Sequence, residues 1–209
     1  MRIKICGITR REDAEDALRL GADAVGCVFF DGSPRGVSLS QAREISRAVR
    51  GLGMLVGLFV NPTKTEVEEA LAAVPMHCLQ FHGAETPEFC AQFSRPYIKA
   101  VPMTQETDLM NADARYEDAN ALLLDSVHDG QFGGSGASFD WEKADLRLRH
   151  RVVLAGGLTP DNVARAIERV KPIAVDVSSG VESQRGIKDI EKLRAFISNA
   201  RQAAQDLAL

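Results

Sequence analysis

The amino-acid sequence predicts an α/β protein, a single (β/α)8 TIM barrel spanning residues 1–209. Three observations point there. Short apolar runs rich in β-branched residues recur eight times. Amphipathic helical patterns lie between most of them. The runs are apolar at nearly every position, as strands covered on both faces by crossover helices are. The count of eight favours a closed barrel over an open doubly wound sheet. At this length the loops must be short.

In chain order the strands are Ile3–Cys6, Ala24–Phe30, Met54–Val60, Cys78–Phe81, Tyr97–Val101, Ala121–Leu124, Val152–Leu154 and Ile173–Val177. Among the helices, Val67, Ala70, Leu71 and Val74 follow i, i+3, i+4, i+7 spacing, and so do Val163, Ala166, Ile167 and Val170. Such stripes bury one helix face against a sheet. Asn61-Pro62, Thr86-Pro87 and Thr159-Pro160 each read as a capping side chain before a proline at the first helical position. Thr9-x-x-Glu12 and Ser38-x-x-Gln41 read as capping boxes. A last helix runs from about Asp189 to Gln205. The segment after the fifth strand, Thr104–Asp118, has poor apolar spacing (Leu109, Met110, Tyr116) and reads as loop or as helix. No linker, low-complexity stretch or charge block divides the chain.

Composition narrows the function classes. A net charge of −4 argues against a nucleic-acid footprint. No window approaches the roughly 18 consecutive apolar residues of a membrane span, and no signal-peptide pattern precedes the first strand. The four cysteines (Cys6, Cys27, Cys78, Cys90) form no C-x-x-C pair, which fits reduced thiols in a cytoplasmic protein. Cys27, Cys78 and Cys90 read as packing residues.

In a barrel, chemistry belongs at the C-terminal ends of the strands. Those positions carry Cys6-Gly7, then Asp31-Gly32-Ser33-Pro34-Arg35, Asn61, Gln80-Phe81-His82-Gly83, Asp125-Ser126, Ala155-Gly156-Gly157 and Asp176-Val177-Ser178-Ser179-Gly180. Cys6 is either a small buried filler or a reactive thiol. Asp125 ends a run of three leucines; partial desolvation there suits a general acid, though a lone aspartate is more often a cap or an ion-pair partner. Asp176 carries the same ambiguity. Arg35 is either solvated or a planar fork for a carboxylate. His82 is more often a structural hydrogen-bonding residue than a catalyst. Gly156-Gly157 and Ser178-Ser179-Gly180, in the last two loops, suit a phosphate. Gly130–Gly136, directly after Asp125, reads as a mobile loop able to close over a ligand.

Taken together, these residues resemble the phosphoribosylanthranilate isomerases of tryptophan biosynthesis over essentially the whole chain. The resemblance rests on Lys4-Ile5-Cys6-Gly7-Ile8-Thr9, Ser33-Pro34-Arg35, Gly57-Leu58-Phe59-Val60-Asn61, Leu79-Gln80-Phe81-His82-Gly83, Leu123-Leu124-Asp125-Ser126, Gly133-Gly134-Ser135-Gly136, Phe139-Asp140-Trp141, Leu154-Ala155-Gly156-Gly157-Leu158 and Asp176-Val177-Ser178-Ser179-Gly180-Val181-Glu182. Phe81 departs from the leucine usual in the family. So do Ala137, where lysine is common, and Asp31-Gly32, where Pro-Lys is.

The resemblance implies an Amadori rearrangement of an aminoaldose to an aminoketose, with Cys6 as general base and Asp125 as general acid. It implies that Arg35 binds the anthranilate carboxylate, that Asp176 lines the sugar site, and that Gln80 and His82 lie nearby. Gly133, Gly134, Gly156, Gly157, Ser178, Ser179 and Gly180 are implied to hold the phosphate. No cofactor and no metal are implied, the partner is a small phosphorylated aminosugar, and the assembly is a monomer or homodimer. Three other readings of the residues stand beside it. One is a metal-dependent epimerase using His82, Asp125 and Asp176. Another is the histidine-pathway aminoaldose isomerase, which typically has a carboxylate at the Cys6 position. The third is a non-catalytic sugar-phosphate binder.

Overall fold

Side-chain alternation along the first strand sets the pattern of the molecule. In β1 (Arg2–Ile5), Ile3 and Ile5 are fully buried in the layer between strands and helices. Lys4 and, one step beyond the strand, Cys6 alternate with them and face the barrel interior. The computed structural model describes residues 1–128, 131–132, 140–144 and 146–208.

The remaining barrel strands are β2 (Ala24–Phe29), β3 (Met54–Phe59), β4 (Cys78–Phe81), β5 (Tyr97–Met103), β6 (Ala121–His128), β7 (Val152–Leu154) and β8 (Ala174–Val177). Each lies parallel to the next, and β8 pairs with β1, closing the eight-stranded barrel with Lys4 opposite Asp176. Around it run α1 (Arg11–Arg19), α2 (Leu39–Val49), α3 (Lys64–Ala73), α4 (Pro87–Ala91), α5 (Leu109–Arg115), α6 (Val163–Val170) and α7 (Ile190–Asp206). The predicted stripe of α6 is buried residue for residue at Val163, Ala166, Ile167 and Val170.

Several local expectations need correction. The segment after β5 does form a helix, α5. It is anchored by polar contacts rather than by an apolar stripe: Asp108 caps Asn111 N–H at 3.1 Å, and the Tyr116 hydroxyl donates to the Glu85 carbonyl at 2.8 Å. Between β6 and β7 the described residues hold 3-10 turns, Trp141–Lys143 and Leu146–Arg151, instead of an α-helix.

The Ser38/Gln41 capping box and the Thr86 cap form as expected. Asn61 and Thr159 do not cap helices. Asn61 has a positive φ of 48° and accepts from Ala84 N–H at 2.6 Å, bridging the loops after β3 and β4, so α3 starts at the box of Thr63 and Glu66. Asn162, not Thr159, precedes α6. Thr9 donates its hydroxyl to the Gly186 carbonyl, and α1 begins at Arg11, preceded by Arg10, which supplies no side-chain cap. For Asn61 and Thr9 a contact elsewhere in the chain claims the side chain that local spacing would assign to a helix end.

The Phe81 departure stands at the last residue of β4 but does not line the barrel mouth. Its ring packs between sheet and helices against Phe59, Phe89, Phe93 and Tyr97.

Candidate active site

The carboxyl ends of the strands open on a cleft of about 1090 Å³. Cys6, Arg35, Gln80, His82, Asp125 and Asp176, named from sequence, all line it, as do Gly156, Gly157, Ser178 and Ser179. Gly180 does not line it; it has no room for a side chain because a Cβ there would collide with the Leu158 carbonyl oxygen. It locks the loop after β8 onto the loop after β7. Gly133 and Gly134 lie outside the described residues, as does most of the Gly130–Gly136 segment.

Asp125 is buried, and its Oδ2 lies 3.1 Å from His82 Nε2. On the far side of the ring, His82 Nδ1 lies 2.9 Å from Gln80 Nε2. An amide N–H can only donate, so Nδ1 accepts and Nε2–H donates to Asp125. Gln80 and His82 therefore form a chain of neutral donors ending on the carboxylate. Gln80 Oε1 is buried without a partner among the described residues.

Across the cleft Asp176 accepts from Lys4 Nζ at 2.9 Å, both side chains being almost wholly buried. Burial pushes the Cys6 thiol up; Lys4 opposes this and Asp176 adds to it. Burial works against the Lys4 charge too, yet Asp176 and Cys6 outweigh it, and its pKa is raised. Lys4 also lowers Cys78, and Lys99 lowers Cys90, but burial outweighs both. Burial lifts Cys27 to about 12, Cys78 to about 11 and Cys90 to about 12, in keeping with packing roles.

Arg35 is held as a fork. Nε and Nη2 donate to the two oxygens of Glu182 at 2.7 and 2.8 Å. Lys188 Nζ braces the same carboxylate at 3.0 Å and donates to the Ser178 carbonyl at 3.0 Å. Burial raises Glu182, but Arg35 and Lys188 outweigh it and hold it below the usual carboxylate range. Nη1 of Arg35 takes no part in this fork and suits a planar anion in the cleft. Gly156 and Gly157 adopt φ of 74° and 65°, left-handed values that favour glycine, and the turn leaves their backbone open to an anion.

A model of the family described as N-(5'phosphoribosyl)anthranilate (PRA) isomerase matches residues 3–199. The chain belongs to the phosphoribosylanthranilate isomerase family. It is 52% identical to the N-(5'-phosphoribosyl)anthranilate isomerase of Pseudomonas aeruginosa over 206 residues, 99% of this chain and 98% of that one. The crystal structure of the Thermotoga maritima phosphoribosyl anthranilate isomerase is similar at a TM-score of 0.88 and 42% identity, covering 97% of this chain and 99% of the other. A structure of such an isomerase in complex with reduced 1-(o-carboxyphenylamino)-1-deoxyribulose 5-phosphate is similar at a TM-score of 0.84 and 39% identity, covering 97% and 99%.

Sequence reasoning assigned no role to Lys4, Glu182 or Lys188. Lys4 carried a readable signal: a lysine flanked by Ile3 and Ile5 in a barrel strand alternates into the interior. Glu182 carried no signal of its pairing with Arg35, which lies 147 residues away, and Lys188 meets Glu182 and Ser178 only through the turn that follows β8. The metal-site reading finds no donor set: among the described residues no group of three His, Cys, Asp or Glu side chains is arranged to hold an ion.

Proposed function

We propose that Cys6 and Asp125 act as the base and acid pair of an isomerase in tryptophan biosynthesis. The reaction converts N-(5-phosphoribosyl)anthranilate to 1-(2-carboxyphenylamino)-1-deoxyribulose 5-phosphate. The observation that carries the reading is the placement of a thiol and a carboxylate on opposite walls of one cleft, with glycine-lined loops and a braced guanidinium beside them. The family supplies the reaction.

In this reading Asp125 donates a proton to the furanose ring oxygen, and the ring opens to a Schiff base. His82 holds one carboxylate oxygen and leaves the other to carry that proton. Cys6 thiolate then takes the C2 proton. The C2–H electron pair forms the C1–C2 double bond as the C=N pair passes to nitrogen, and the resulting enolamine tautomerises to the ketone. Each positioned acid or base contributes about 10²–10⁴-fold. Arg35 takes the anthranilate carboxylate, Asp176 faces the sugar, and the Gly156-Gly157 and Ser178-Ser179 turns take the phosphate. Gly133 and Gly134 are read as contributing to the same phosphate site. The chain works as one domain; we read it as cytoplasmic, and no helix among the described residues is long and apolar enough to cross a membrane.

The test follows loss of phosphoribosylanthranilate fluorescence with chelator present. Wild type turns over, and Cys6→Ala loses about 10²-fold or more in kcat with its circular dichroism unchanged. Near-normal turnover by Cys6→Ala would overturn the thiol-base assignment.

A further inference from the structure

Cys6 needs a neighbour that favours its anion, because burial alone works against it. Lys4 stands two residues back on β1, so its side chain enters the interior one layer beneath the thiol. It is 5% exposed and does not line the cleft. The interior beside it is built small, with Ala24 and Gly26 on β2 and Ala174 on β8. A Cβ at Gly26 would lie 3.0 Å from Cys6 Sγ and 3.2 Å from Lys4 Cε. The two side chains therefore share the bare backbone of one glycine. A glycine inside a strand otherwise weakens it; here it opens the space in which a long cationic side chain lies beside the thiol. From there Nζ reaches Asp176 Oδ1 at 2.9 Å. A buried ion pair is seldom more stabilising than apolar groups of the same volume, so stability alone gives little reason for this one.

We propose that Lys4 is a positioning residue for the isomerisation: its ammonium, held by Asp176 on a side chain that lies beside Cys6, stabilises the thiolate that takes the C2 proton. This rests on the assignment of Cys6 as the base. Asp176 has two opposing effects. It holds the ammonium in place, and its own charge resists the thiolate. The other groups that act on the thiol are Lys188 from the Ile187–Lys188 strand, Arg35 from the loop after β2, and Cys27 on β2. In the free protein burial still holds the thiol up, so the thiolate share is small. The cationic Schiff base adds a second positive charge when substrate binds, and the proton then moves from C2 to sulfur.

The test is the pH dependence of iodoacetamide alkylation at Cys6 in the full chain, located by peptide mass spectrometry. In Lys4→Met the midpoint rises by about one pH unit, leaving about tenfold less thiolate at a given pH. Its kcat falls about tenfold near neutrality and recovers as pH is raised. In Asp176→Asn the midpoint falls. A folded Lys4→Met protein with an unmoved midpoint overturns the proposal. Where Lys4→Met does not fold, Asp176→Asn decides, and an unmoved or raised midpoint overturns it. Normal turnover by Cys6→Ala defeats the base assignment instead and leaves the alkylation midpoints readable, so the two failures are distinguishable.

Discussion

Asp125 lies within β6 and Asp176 within β8, each after an equally apolar run, and both face one cleft, yet they are held by opposite kinds of partner. Asp125 accepts from His82, itself fed by the Gln80 amide. Asp176 accepts from the ammonium of Lys4. An imidazole N–H bonds a carboxyl oxygen whether or not the other oxygen carries a proton. An ammonium bonds the anion. The same residue type in one barrel is thereby bonded to an imidazole in one place and to an ammonium in the other. The difference lies wholly in the partner, as paired carboxylates in other acid–base sites show.

The comparison can be broken on activity first. Asp125→Asn should lower kcat by about 10²–10⁴-fold, the worth of one positioned acid, with little change in denaturant midpoint. A loss of only a few-fold would remove Asp125 from the proton path. Stability comes next. Asp176→Asn leaves a buried ammonium without its counter-ion, and urea unfolding should show a loss of about 3–5 kcal/mol. Equal destabilisation by the two asparagine variants would erase the distinction between the walls.

Acid provides a third check, through the brace beside Arg35. Glu182 is held below its usual value of 4.5 in the folded chain, so the unfolded chain binds its proton more readily. The stability it contributes is present above about pH 4.5 and is lost as pH falls through the lowered folded value. Urea midpoints measured from pH 3 to 6 should therefore slope downward toward acid, and Glu182→Gln should flatten that slope. The smallest effect expected is His82→Asn, which removes one donor to Asp125. A kcat loss of about tenfold, matching about 1–1.5 kcal/mol for one hydrogen bond, would support an orienting role; a loss as large as that of Asp125→Asn would make the histidine part of the proton path.

Much of the fold was readable along the chain because it depends on short-range repetition. Cys78–Phe81 and Val152–Leu154 have the same ends in sequence and structure. The apolar face of α6 followed from spacing alone. Two of the errors share a cause. Asn61, Thr159 and Thr9 each carry a side chain able to cap a helix. Asn61 and Thr9 are instead bonded to a loop elsewhere in the chain, and Asn162 takes the place of Thr159. The α5 segment was ambiguous because its anchors, Asp108 and Tyr116, are polar. At the site, Cys6, Asp125 and the glycine turns stood out because each follows an apolar run of a barrel strand.

By itself the sequence determined which side chains stand at the mouth of the barrel, because alternation and glycine placement are properties of neighbouring residues. Only the tertiary structure decided what each of them is bonded to. Lys4 and Asp176 are 172 residues apart, Arg35 and Glu182 147, and His82 and Asp125 43. Closure of the sheet, with β8 returning to β1, is what brings Lys4 to Asp176. In a buried site the charge and donor character of a neighbour decide whether a carboxyl or a thiol holds its proton, and those neighbours meet only when the barrel is complete.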